Sequence, residues 1–328
     1  MKRTGRGRSA AILAVFLGAA SFDGSWRGAA RLDWLLFPLA SLAAGLLLRK
    51  AAGRGGKRAR LALLPLAVTL AGADLGRLCL FVTSHNDFHL SPRLIVLTAA
   101  GTLCLLALTD GGGYGRLFDL TVFWIAALTV LWFCTGGLHW DVGRLLPLRA
   151  GAEEGRRLLT LLAAPFLQGL IAVSLPDGET REDDLRCAVL PGCLLAGTAL
   201  GLERLRLTCT VGFEVASKLA FPTYAAASVQ YAGSYGFHVE EALLCAVFAG
   251  RLLRDTLLLR FCRETLRGKG SGVPALLVCA AAATIMGVTA LSTVGGAGRW
   301  NALMPYVTLG SAVLWGCCVL LDRRKKSN

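Results

Sequence analysis

Apolar runs long enough to cross a bilayer recur along the whole chain, separated by short polar or glycine-rich stretches. An α-helix needs about 20 residues, at 1.5 Å each, to span the hydrocarbon core. We draw ten spans, at 10–26, 33–48, 61–83, 94–109, 117–138, 158–174, 187–202, 237–259, 273–293 and 301–321. The run from Leu158 to Leu175 is interrupted at Ala163-Ala164-Pro165-Phe166-Leu167-Gln168-Gly169. Pro165 lacks an N–H and its ring clashes with the preceding turn, so the spacing predicts a weakened helix there. Freed carbonyls at membrane depth are tolerated only against protein, water or a ligand. The interruption therefore reads either as a proline kink in a packing helix or as the midplane break from which transporters build substrate sites. Residues 203–236 are too polar and punctuated to read as a plain span, and are expected to form short helices capping the external face.

Composition agrees with an all-α, polytopic membrane protein. Of the 328 residues 55% are hydrophobic, and the mean hydropathy is +0.58, more apolar surface than a soluble fold can hide. The basic head and apolar run of the first residues resemble a signal peptide. Further spans follow at once, so a retained first helix is expected. Ten of the eleven cysteines lie in or beside apolar spans, with Cys209 apart, and no CxxC pair occurs. Cysteine serves here as a small hydrophobe, and neither a disulfide framework nor a metal site is predicted.

The net charge of +14 follows topology rather than nucleic-acid binding. With the N-terminus inside, cytoplasmic segments hold 21 of the 35 Lys and Arg and external segments 11; the spans hold Arg77, Arg251 and Arg254. That asymmetry places both termini in the cytoplasm. The firmest cytoplasmic marker is Arg49–Arg60, with six basic residues; such segments contact anionic lipid.

Charged residues inside spans are costly and face the bundle interior, so they are functional candidates. Asp74 and Arg77, three apart, can meet on one helix face as a self-neutralising pair or line an ion pathway. Arg251 and Asp255, four apart, can do the same. Glu240 stands near the outer mouth of the eighth span and Arg254 deeper. Two groups carry weaker chemistry. His85, Asp87 and His89 lack a fourth metal ligand and read as a solvated loop. Glu182, Asp183 and Asp184, in the acidic loop Pro176–Arg186, have no second acidic cluster with which to hold magnesium. No enzyme and no cofactor are expected.

Several stretches together resemble the B-subunit family of spore germinant receptors (GerAB-like), within the amino acid/polyamine/organocation transporter superfamily. The N-L-L-P-like segment corresponds to Arg144-Leu145-Leu146-Pro147, and the S-F-P-F-G-E helix to Ala163–Gln168. Y-P-[ST] corresponds to Phe221-Pro222-Thr223, R-L-[ED] to His238-Val239-Glu240, and the intrahelical glycine and lysine to Gly250 and Arg254. R-L-x-E at the fifth helix corresponds to Arg116-Leu117-Phe118-Asp119. The sequence departs from the family pattern at Leu167, Gln168 and His238. The resemblance implies a LeuT-like fold of two inverted five-helix repeats, here 10–138 and 158–321, with helices 1 and 6 unwound at the centre. It implies ligand binding at Ala19, Ala20, Ser21 and Phe22 and at Ala163, Ala164, Pro165, Phe166 and Leu167. Backbone N–H groups of helix 1 would hold a carboxylate, carbonyls at the breaks an amine, and Phe166 would wall the site. The implied role is a nutrient-sensing subunit in the spore inner membrane. It would bind an amino acid or similar small nutrient and signal to A-type and C-type receptor subunits. The alternative is an amino-acid transporter of the same fold.

Overall fold

The computed structural model describes residues 12–18, 32–51, 56–84, 91–109, 122–123, 140–146, 162, 165–174, 182–219, 221–229, 239–267, 272–292 and 296–327. Among them every regular element is helical and no strand occurs. In chain order these are α1 (12–18), α2 (Asp33–Ala51), α3 (Lys57–Ser84), α4 (Pro92–Leu108), α5 (165–173), α6 (Glu182–Thr210), α7 (Phe213–Ala216), α8 (Pro222–Val229), α9 (Val239–Leu266), α10 (Val273–Ser292) and α11 (Gly296–Ser327). A 3-10 turn at Val142–Leu145 precedes α5. Among the described residues three helices are long and apolar enough to cross a membrane: α2, α3 over Lys57–Thr83, and α6 over Arg186–Thr210. Shorter apolar stretches lie in α4, in α10 over Val273–Thr289 and in α11 over Tyr306–Asp322. The span at 117–138 falls almost wholly outside the described residues.

The helices begin and end for local reasons. α2 opens with Asp33 and closes with Arg49 and Lys50, so its end charges oppose the helix dipole. α4 follows Ser91 with Pro92 in its first turn, where a missing N–H costs nothing. The expectation that 176–186 is a loop fails at its far end, because Glu182, Asp183 and Asp184 belong to the start of α6. Carboxylates are favoured at a helix N-terminus, so an acidic stretch lengthens this helix instead of ending it. The other end of α6 also exceeds the drawn span: residues 203–210 continue it, and α7 and α8 follow as short helices.

The chain divides into two compact units. The first comprises Met1–Lys50, Arg116–Gly169 and Thr180–Arg251; the second comprises Ala51–Gly115, Leu170–Glu179 and Leu252–Asn328. In the first, Leu36, Phe37 and Ala40 of α2 form a core with Leu200 of α6, flanked by Leu32 and Leu162. In the second, α3 is central and packs on α10, α11 and α4.

Each unit uses one device to bring a long helix close to its neighbour. α6 carries Leu195-Ala196-Gly197-Thr198-Ala199-Leu200-Gly201 and α3 carries Leu70-Ala71-Gly72-Ala73-Asp74-Leu75-Gly76. Both contain the GxxxG spacing that lets helix backbones approach in membranes. A Cβ on Gly201 would stand 2.5 Å from the Trp34 carbonyl oxygen of α2, and one on Gly197 would overlap the Ser41 side chain. A Cβ on Gly72 would stand 2.8 Å from Met286 Cβ of α10. Gly287 of α10 faces Gly72 and Gly76 in return.

Candidate functional site

Asp74 sits between the two glycines of the α3 motif, so close helix packing surrounds its side chain. Arg254, on α9, reaches it from 180 positions away in sequence. Arg254 Nη1 lies 2.7 Å from Asp74 Oδ2, with the two side chains only 1% and 4% exposed. The contact lacks the alignment of a linear hydrogen bond and is chiefly Coulombic. Two opposite charges taken out of water need one another, because either alone carries an uncompensated desolvation cost.

Sequence spacing offered Arg77 as the local partner of Asp74; the structure supplies a partner from another helix. Arg77 is half-buried one turn further along α3. Buried Thr69 belongs to the same stretch, and its hydroxyl donates to the Pro65 carbonyl at 2.6 Å. That is the back-bond a helical threonine makes to the carbonyl four residues earlier. On α9, Thr256, next to buried Asp255, likewise donates to the Leu252 carbonyl at 2.7 Å. The second unit therefore holds a polar interior of charged and hydroxyl side chains within apolar helices.

The first unit holds a group that hydropathy reading missed. Glu203, Arg204 and Arg206 are buried near the end of α6, and Asp33 is buried at the start of α2. Arg204 lies over the Phe37 ring, 5.6 Å from its centroid, a cation–π contact. Glu203 and Arg206 are one turn apart and share a helix face. The legible signal was Leu200 and Leu207, seven apart and both buried, which carry the apolar stripe of α6 past the charges.

The end of α6 is closed by the 3-10 turn. The Asp141 N–H donates to the Cys209 carbonyl at 3.1 Å, and the Arg144 guanidinium donates to the Thr210 carbonyl. Asp141 holds Arg144 in place, with Nε 3.3 Å from Oδ2. A cation thus satisfies carbonyls at the negative end of the helix. Arg144 opens the segment Arg144-Leu145-Leu146-Pro147, so that segment has a structural task here.

Of the residues assigned to the ligand, Ala19, Ala20, Ser21, Phe22, Ala163 and Ala164 lie outside the described residues. Pro165, Phe166 and Leu167 are helical, with Leu167 buried and the other two half-buried. The interruption expected over 163–169 therefore does not extend through 165–169. Gly169 of α5 approaches Leu48 of α2 so closely that a Cβ would collide with its methyl groups. Glu240 lies in the first turn of α9, and Arg254 three to four turns further on.

No protein-family model and no curated protein matches the chain. Among solved structures, it is similar to a mutant manganese transporter from Eremococcus coleocola over 94% of this chain and 76% of that one. The sequence identity is 14% and the TM-score 0.51. That likeness, with the apolar helices and buried charges, gives the chain the all-helical fold of a polytopic membrane transporter.

Proposed function

We propose that the chain is an integral-membrane subunit of a spore nutrient-germinant receptor. It binds an amino acid or a similar small nutrient and triggers germination together with A-type and C-type partner subunits. The observation that carries this reading is the order of germinant-receptor-like segments along a chain with a transporter fold. The ligand sits between Ala19–Phe22 and Ala163–Leu167, and differential affinity for two conformations shifts the receptor population. Its place is the spore inner membrane, with both termini cytoplasmic. Spores lacking this chain but retaining every other receptor are expected to lose the response to at least one nutrient. Unchanged germination with all nutrients sinks the reading.

Pro165 offers a second test. Leucine there restores an N–H and removes the ring clash, favouring continuous helical winding through position 165. Proline within a helix costs about 3 kcal/mol, so Pro165→Leu is expected to weaken the ligand response on the order of a hundredfold. A normally expressed variant with an unaltered dose–response curve removes Pro165 from the site.

The alternative reading, an amino-acid transporter, is favoured by the transporter named in the fold comparison. Net uptake by the reconstituted chain, without partner subunits, selects it. Amino acids and Mn²⁺ are assayed in parallel, and the cargo that accumulates names the class.

A further inference from the structure

Two thiols from successive helices of the second unit touch. α9 ends at Leu266 and α10 begins at Val273. Cys262 of α9 is 0% exposed and Cys279 of α10 is 6% exposed, and both are free thiols. One of them donates a hydrogen bond to the other. A cysteine used only as a small hydrophobe needs no such neighbour. Cys79, buried in the same unit, donates its S–H to the Pro92 carbonyl at 3.2 Å instead. Thr265, one turn beyond Cys262, is 2% exposed, and its hydroxyl has no hydrogen-bond partner among the described residues. Three positions apart, the two share a helix face, so a hydroxyl donor is at hand for a thiolate.

The two helices are already held where a bond between them would hold them. Arg254 of α9 pairs with Asp74 of α3. Arg263, next to Cys262, donates to the Ala107 carbonyl of α4 at 2.9 Å. α10 packs on α3 and on α4. The turn between α9 and α10 folds back at Gly272, whose φ is +71° and whose added Cβ would stand 3.2 Å from Arg263 Cγ. Two thiols in contact between helices so placed need only rotation of their side chains and a closer approach to join.

We propose that Cys262 and Cys279 are a redox-active pair that a small peroxide converts to a disulfide, stapling α9 to α10. The peroxide gives one oxygen to the first sulfur: an S–O bond forms, the O–O bond breaks and water leaves. The second thiol then attacks that sulfur. The S–S bond forms, the S–O bond breaks, and the released hydroxyl leaves with the thiol proton as a second water. The two thiols lose two electrons in all, and the peroxide takes them up. Burial keeps larger oxidants out, so the oxidant is small and uncharged. The staple acts on the helix that carries Arg254, whether the chain senses its solute or carries it.

The test treats the full-length chain in detergent with hydrogen peroxide, then unfolds it, alkylates the remaining thiols and maps the peptides by mass. A peptide pair joined through Cys262 and Cys279 is expected. Dithiothreitol, itself oxidised to a cyclic disulfide, is expected to restore both thiols. The bond closes a loop of roughly 15–20 residues, so oxidation is expected to raise the thermal midpoint by about 5–10 °C. Cys262→Ala and Cys279→Ala are each expected to abolish that rise. Cys317→Ser/Cys318→Ser, which removes an exposed and a half-buried thiol of α11, is expected to keep it. Oxidation of Cys317 with Cys262 and Cys279 both still open to alkylation overturns the pair. A bond mapped to any other cysteine does the same. A joined peptide with an unchanged or lowered midpoint overturns the staple, because the bond then forms only in a distorted fold.

Discussion

Asp74→Asn is expected to lower the unfolding free energy by about 3–5 kcal/mol, the range for breaking a buried ion pair from one side. The substitution keeps the shape of the side chain, so steric effects drop out and the lost charge remains. Arg254 is 1% exposed and cannot turn to solvent. It loses the carboxylate 2.7 Å away. The double variant Asp74→Leu/Arg254→Met removes both charges and fills similar volume with apolar atoms. Such replacements are neutral or stabilising, so it is expected to recover most of the loss. Thermal midpoints of the two variants, in one detergent and at one protein concentration, measure both effects. If Asp74→Asn unfolds within about 0.5 kcal/mol of the native chain, the pair does not hold the second unit together. The double variant also separates structure from function. Recovered stability with a lost solute response makes the charges part of the working cycle; recovery of both makes them a fastener.

The same pair shows where sequence reading stops. Asp74 and Arg254 each drew attention because ionisable side chains inside apolar spans are costly. Spacing arguments, however, compare a residue only with its own helix, and they offered Arg77 to Asp74. A partner that such arguments could not reach, Arg254, comes from α9. The helices themselves were more legible. The runs drawn at 61–83, 94–109 and 273–293 correspond to Lys57–Ser84, Pro92–Leu108 and Val273–Ser292, each within a few residues. The run at 187–202 was shorter than α6 by five residues at one end and eight at the other, because both ends carry charge. Hydropathy treats Glu203, Arg204 and Arg206 as departures from a span. The structure buries them, with Arg204 over an aromatic ring. Pro165 was legible as a disturbance, and residues 165–169 are helical all the same. The residues assigned to the ligand on either side of these helices rest on the family resemblance.

Gly201→Ala is expected to destabilise the first unit by about 1–3 kcal/mol, although alanine is the better helix former. The reason lies across the helix pair. Pro38 has no N–H, so the carbonyl of Trp34, four residues earlier, has no bond to it within α2. α6 comes down on that carbonyl with a glycine: a Cβ at position 201 would stand 2.5 Å from the oxygen and 3.0 Å from both Cγ and Cδ of Pro38. Backbone and a proline ring cannot swing aside, so the helices must part. Gly45→Ala is milder, because its nearest atoms are Cys193 Cβ and Leu190 Cδ1 at 3.1 Å, and the leucine end can turn. Gly101 of α4 and Gly310 of α11 have nothing within 4 Å. Alanine at either is expected to stabilise by up to about 1 kcal/mol through helix propensity alone. One substitution chemistry thus changes sign with location. Thermal midpoints of the four single variants read the order directly. A Gly201→Ala protein as stable as Gly101→Ala would mean that α2 and α6 stand further apart than the glycine contact requires. The buried cation–π pair between Arg204 and Phe37, which depends on the same approach, would then lose its basis too.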